Sequence, residues 1–132
     1  MSMADSIFTK IIKGEIPCHK VYEDDKTFAF LDIRPKTPGH TLVIPKKQVE
    51  FVWDLEDEDY QALMTAVKKV ARRLREVLGA PYVGELVFGM DVPHAHIHVY
   101  PFETADQARR VPSQADEPDH DALAAIAKKL AF

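Results

Sequence analysis

Three histidines alternate with apolar residues between two prolines, in the run Pro93-His94-Ala95-His96-Ile97-His98-Val99-Tyr100-Pro101. Side chains of a β-strand alternate faces with period 2. As a strand, this run sends His94, His96 and His98 to one side and Ala95, Ile97 and Val99 into a core. Same-face neighbours lie roughly 6.6 Å apart, so one anion, one metal ion or one reacting group can engage two imidazoles at once. A lone histidine in an apolar strand is ordinarily a core residue satisfied by a hydrogen bond. Three in strict alternation oblige the core to satisfy three polar rings side by side, which is costly, so a functional cluster is the reading to pursue.

The rest of the chain bounds the setting. Its 132 residues suffice for one domain with a real core. A net charge of −4, with no basic arm or stripe, gives no electrostatic footprint for a nucleic-acid polymer. Cys18 is the only cysteine, so neither an intrachain disulfide nor a cysteine-rich zinc site can form. No run of about 18 apolar residues and no signal-like segment is present, so no membrane partner and a cytoplasmic location are expected.

Punctuation divides the chain into short elements. Asp5-Ser6 can cap a helix carrying Ile7, Phe8, Ile11 and Ile12, stopped by Gly14 and Pro17. Residues 19–23 and 27–31 read as a hairpin about Glu23-Asp24-Asp25-Lys26, and 40–44 as a third strand ended by Pro45. A helix over 57–78 is predicted from the stripe Leu63, Val67, Val70, Leu74 and Val77, with acidic residues at its start and Gly79 after it. Residues 82–88 and 94–100 read as two last strands around a tight turn at Gly89-Met90-Asp91. A polar arm, expected to be extended, runs over 103–118, and a short helix over 119–130. The prediction is an α+β domain: a five-stranded, mostly antiparallel sheet with the long helix on one face.

Two chemistries fit the histidines at this point. Strand-borne His-x-His pairs suit tetrahedral zinc, with Asp91 or His40 as a converging ligand. Alternatively, one imidazole attacks phosphorus while its neighbours orient it and offset phosphoryl charge. Spacing alone does not separate them.

His94-Ala-His-Ile-His98-Val-Tyr100 resembles the signature of the histidine triad (HIT) family. The N-terminal half matches independently, in Ser6-Ile-Phe-Thr-Lys-Ile-Ile-Lys-Gly-Glu-Ile-Pro17, Val21-Tyr-Glu-Asp-Asp25, Phe28-Ala-Phe-Leu-Asp-Ile33 and Pro38-Gly-His-Thr-Leu-Val-Ile-Pro-Lys-Lys47. These blocks are similar to the branch that hydrolyses nucleoside phosphoramidates. The resemblance implies a HIT-like fold over 5–107, with the polar arm and short helix at 108–132. It also implies a homodimer and a purine nucleotide site. Ile7, Phe8, Ile11, Phe30, Ile33 and Leu42 match the walls around base and sugar, and Asp32 matches the carboxylate that holds the ribose hydroxyls. His96 matches the nucleophile, His98 the histidine on the phosphoryl oxygens, and His94 and His40 those that orient the cluster. Neither a metal nor a cofactor is needed. Where some relatives hold a structural zinc with two cysteines and a histidine, this chain has Ser6, Thr9 and Gln48. Where relatives have a glutamine and a hydroxyl residue before the triad, it has Met90 and Asp91, of which Asp91 is a candidate catalytic and nucleotide-binding residue, and it contains no asparagine. The implied activity is cleavage of adenosine or guanosine phosphoramidates through a nucleotidyl-histidine. The alternatives are a dinucleoside polyphosphate hydrolase and a nucleotide-binding sensor or scaffold.

Overall fold

Strand-forming residues alternate with caps and breakers along the chain, and the sheet they build carries the site on one face. The computed structural model describes residues 4–132. Helix α1 spans Ile7–Ile12, followed by strands β1 (Lys20–Glu23), β2 (Thr27–Leu31) and β3 (Thr41–Pro45). A single helical turn at Val52–Asp54 leads into helix α2 (Asp57–Leu78), then strands β4 (Tyr82–Leu86) and β5 (Ile97–Phe102). Helices α3 (Ala105–Arg109) and α4 (His120–Leu130) complete the chain. The five strands form one sheet in the order β1-β2-β3-β5-β4, and every neighbouring pair is antiparallel. β5 is therefore a central strand, with Leu42 on one side of His98 and Leu86 on the other.

The two faces of the sheet bury different clusters. Ala29, Leu31, Val43, Ile97 and Val99 point to a large core shared with Leu63, Val67, Val70 and Leu74 of α2 and with Leu123, Ala127 and Leu130 of α4. Phe28, Phe30, Leu42 and Ile44 point the other way and meet Phe8 of α1, with Ile11 and Val92 at the edge. All residues of β2 and β3 are consequently buried, the pattern of strands covered on both sides. The predicted helix over 57–78 is found at those residues. It begins with Asp57, Glu58 and Asp59 at the positive end of its dipole and ends in a left-handed Gly79. Gly39, with φ +102°, turns the chain into β3 where a Cβ would lie 2.7 Å from Leu78 Cδ1, so only glycine fits ahead of His40.

Three expectations need correction. No tight turn joins the last strands: β4 stops at Leu86 and β5 starts only at Ile97, leaving a loop over 87–96. Pro93 has no N–H to give to a ladder, and the Ala95 N–H goes to Val49 C=O (2.7 Å) instead of to β4. His94 and His96 thus precede the strand, and only His98 lies within it. The arm over 103–118 is not wholly extended, because Thr104 caps the short α3 by accepting from the Gln107 N–H.

Candidate active site

Hydrogen bonds set the tautomer of each imidazole in the cluster, through backbone groups for His94, His96 and His40 and through His40 for His98. His94 is fully buried at 0% exposure, with Nε2 2.8 Å from Pro45 C=O. A carbonyl only accepts, so His94 carries its proton on Nε2, and its Nδ1 accepts from the Ser6 hydroxyl at 2.7 Å. His96 Nδ1 lies 2.8 Å from His94 C=O, which places the proton on Nδ1 and leaves Nε2 as a bare lone pair. On the other side the Lys36 backbone N–H donates to His40 Nδ1 at 3.0 Å. The neutral His40 ring must then hold its proton on Nε2 and donate it to His98 Nδ1, 3.0 Å away. His98 is left with an N–H at Nε2. The two neighbouring rings therefore have opposite tautomers: His96 presents an acceptor lone pair at Nε2 and His98 a hydrogen-bond donor.

Electrostatics support the neutral assignment. Burial pushes the His40 imidazole down to about 3, with help from His98 and Lys36, and burial together with His96 and Lys36 pushes His98 down to about 4. Burial also lowers His94. The 3.8 Å approach of His40 Nε2 to Asp32 is accordingly no ion pair at neutral pH. Asp32 accepts from the Arg34 N–H at 2.9 Å, and burial raises its pKa. That carboxylate is short of partners, and hydroxyl donors from a ligand would favour its charged form.

The wall residues separate into two groups. Phe8, Ile11, Phe30 and Leu42 form one apolar cluster, and Phe8 stands edge-on to His96 with ring centroids 5.3 Å apart. Ile7 and Ile33 are exposed at 48% and 38% and are not part of this cluster. Asp91 is exposed in the 87–96 loop with φ +75°, and its carboxylate makes no hydrogen bond or ion pair among the described residues. It reaches the cluster only through its charge, which opposes the lowering of His98. A cleft of about 140 Å³ is lined by Asp32, His40 and His98, facing Arg34, Lys36, Arg110 and Gln114. The anchors that sequence reasoning missed, Pro45 C=O and the Lys36 N–H, are backbone groups that no residue type signals.

A profile of the HIT domain matches residues 13–105. The chain belongs to the HIT family. Protein hit of Bacillus subtilis is 46% identical over 101 residues, covering 72% of this chain and 69% of that protein. Adenosine 5'-monophosphoramidase of Saccharomyces cerevisiae is 34% identical over 128 residues, 96% of this chain and 81% of the yeast enzyme. A HIT-like protein of Bartonella henselae, described as involved in cell-cycle regulation, superposes with a TM-score of 0.85 at 33% identity, over 98% of this chain and 96% of its own.

Two potential metal sets of this HIT domain do not fit an ion. Ser6, Thr9, Gln48 and His94 converge, but they offer hydroxyls and an amide oxygen instead of thiolates, unlike a structural zinc site. Their lone pairs are also engaged: Gln48 Oε1 accepts from the Ser6 N–H (2.8 Å) and the Thr9 hydroxyl (2.6 Å). Asp32, His40 and His98 bring ligand atoms within 4.8 Å of one another, yet His40 Nε2 carries the proton fixed by Lys36.

The lowered imidazoles predict acid sensitivity. Between pH 6.5 and 4.5 the unfolded chain protonates His40 and His98 while the folded one does not, so folding stability falls as pH falls, by up to about 1.4 kcal/mol per pH unit for each. Asp32 acts in the opposite sense, because its raised folded pKa lets the folded state bind a proton first. A net loss of about 2–4 kcal/mol is expected across that window, read from urea midpoints. His40→Asn should flatten the profile, and a wild-type midpoint that does not move would contradict the neutral cluster.

Proposed function

We propose that the protein hydrolyses the P–N bond of purine nucleoside 5′-phosphoramidates, with His96 as nucleophile and without a metal. It is a hydrolase of the HIT family. The observation that carries the finer reading is the pair of opposite tautomers, a bare Nε2 on His96 beside an N–H on His98. The bare nitrogen attacks the α-phosphorus, a His96 Nε2–P bond forms, and the P–N bond breaks with its electron pair leaving on nitrogen. The His98 N–H offsets charge on the phosphoryl oxygen. Water then attacks phosphorus and the Nε2–P bond breaks. Over both steps one water is consumed, its OH ending on phosphorus and its hydrogen on the leaving amine.

Asp32 is assigned to the ribose hydroxyls, and Phe8, Ile11, Phe30 and Leu42 to the apolar side of the nucleoside, with Ile7 and Ile33 at its rim. The yeast relative's name, an adenosine 5'-monophosphoramidase, favours AMP conjugates over the dinucleoside polyphosphate alternative. A homodimer pairing the exposed edge of β4 and the long helices, and a cytoplasmic setting consistent with the single free Cys18, complete the proposal. Among the described residues no helix is long and apolar enough to cross a membrane. The test is release of amine from an AMP phosphoramidate in the presence of a chelator. Turnover should persist with a rapid first release, whereas activity that vanishes and returns with added zinc would overturn the metal-free reading.

A further inference from the structure

The C-terminal arm folds back over the histidines and is tied there by side chains from the loop ahead of β3. Lys36 Nζ donates to the carbonyls of Ala108 and Arg110, both at 3.0 Å, and Arg34 Nε donates to Asp116 C=O at 3.1 Å. The Lys36 ammonium is further held 5.1 Å above the Tyr100 ring. These ties bring Arg110, Val111, Pro112 and Gln114 into the wall of the cleft that contains Asp32, His40 and His98.

The charge of that cleft runs against the charge of the chain. The protein carries −4 overall, yet in this cleft Arg34, Lys36 and Arg110 face a single carboxylate. Among the described residues none of these three cations has a carboxylate within ion-pair distance. The histidines add no positive charge, since His40 and His98 are neutral. A nucleoside phosphoramidate, with one ester and one amide on phosphorus, carries only one negative charge at its α-phosphoryl group, and His98 already offers it a donor. Arg34 and Lys36 bond only backbone carbonyls, and together with Arg110 they leave this cleft beside His98 able to take a second anionic group.

We propose that Arg110, set by the arm together with Arg34 and Lys36, forms a leaving-group subsite that selects nucleotide conjugates whose leaving group bears a carboxylate or a phosphate. This rests on the phosphoramidase reading and names the substrate class within it. The arm acts in cis, so the subsite is complete within one chain. Gln114 adds a neutral donor able to bond an anionic oxygen.

Three substrates separate the sources of negative charge: the AMP amide of butylamine, the AMP amide of the glutamate amino nitrogen, and diadenosine triphosphate. Arg110→Ala is expected to lower kcat/KM for at least one anionic substrate about five- to tenfold more than for the butylamide. The substrate so affected identifies carboxylate or phosphate as the preferred group. An equal loss on all three would assign Arg110 to the α-phosphate and overturn the subsite, as would no loss on any. If wild type turns over none of them, the phosphoramidase reading fails by itself, and the subsite is then read by calorimetry. ADP should bind about fivefold tighter than AMP to wild type but not to Arg110→Ala. Equal affinities in wild type would overturn it.

Discussion

His96→Ala is expected to keep its nucleotide affinity within a few-fold and to lose phosphoramidate turnover by about four orders of magnitude or more. The size of the effect follows from the absence of a substitute. His94 is buried, with both ring nitrogens engaged by Pro45 C=O and the Ser6 hydroxyl. His40 is engaged by the Lys36 N–H and by His98, and His98 accepts at Nδ1 and carries its proton at Nε2. Among the four rings only His96 presents a bare nitrogen. Removing the ring also opens space beside Phe8, so single-turnover rates must be paired with a nucleotide-binding measurement that shows the site intact. A residual rate within tenfold of wild type would mean that another group attacks phosphorus.

The second large effect lies in stability. Ser6 Oγ caps α1 by accepting from the Thr9 N–H (3.0 Å) and donates to His94 Nδ1 at 2.7 Å. Ser6→Ala removes the cap and leaves a fully buried acceptor without its donor. The Thr9 hydroxyl, 3.3 Å from that nitrogen, is already committed to Gln48 at 2.6 Å. Losing a cap costs about 1 kcal/mol and stranding a buried acceptor about 1–3 kcal/mol, so a loss of roughly 2–4 kcal/mol in urea is expected. That is a large share of the 5–15 kcal/mol typical of a domain. Ser6→Thr, which keeps the hydroxyl, should lose less than about 1 kcal/mol. A midpoint for Ser6→Ala equal to wild type would show that the His94 contact contributes nothing. The variant should also slow turnover, because the carbonyl that fixes His96 belongs to His94.

Elements governed by local signals were legible in the sequence. The amphipathic stripe, acidic start and terminal glycine of α2 located it without error, and alternation separated the two faces of β5 from Ile97 onward. Where tertiary hydrogen bonds compete with local pattern, legibility failed. Alternation through His94 and His96 reads as strand, but the Ala95 N–H is captured by Val49 and Pro93 cannot pair. The identity of the clustered histidines was readable, while their tautomers were not, because backbone atoms of Pro45, His94 and Lys36 set them. Thr9 and Gln48 stood out in the sequence only for lacking metal-binding groups, and Ser6 for that and as a helix cap. Ser6 bonds both Gln48, 42 positions away, and His94, 88 positions away, which no spacing reveals. The arm over 103–118 reads only as extended polar chain because its ties use its carbonyls, with Arg34 and Lys36 supplying the donors.

The central claim is that His96, fixed by the His94 carbonyl, attacks phosphorus. Rapid quenching of wild type during turnover of an AMP phosphoramidate, followed by proteolysis and mass analysis under conditions that preserve phosphorus–nitrogen bonds, tests it directly. The peptide carrying the triad should gain one adenylyl group, fragmentation should place it on His96, and the adduct should decay at the rate of product release. An adenylyl group on His94 or His98, or full turnover with no adduct at any quench time, would contradict the account.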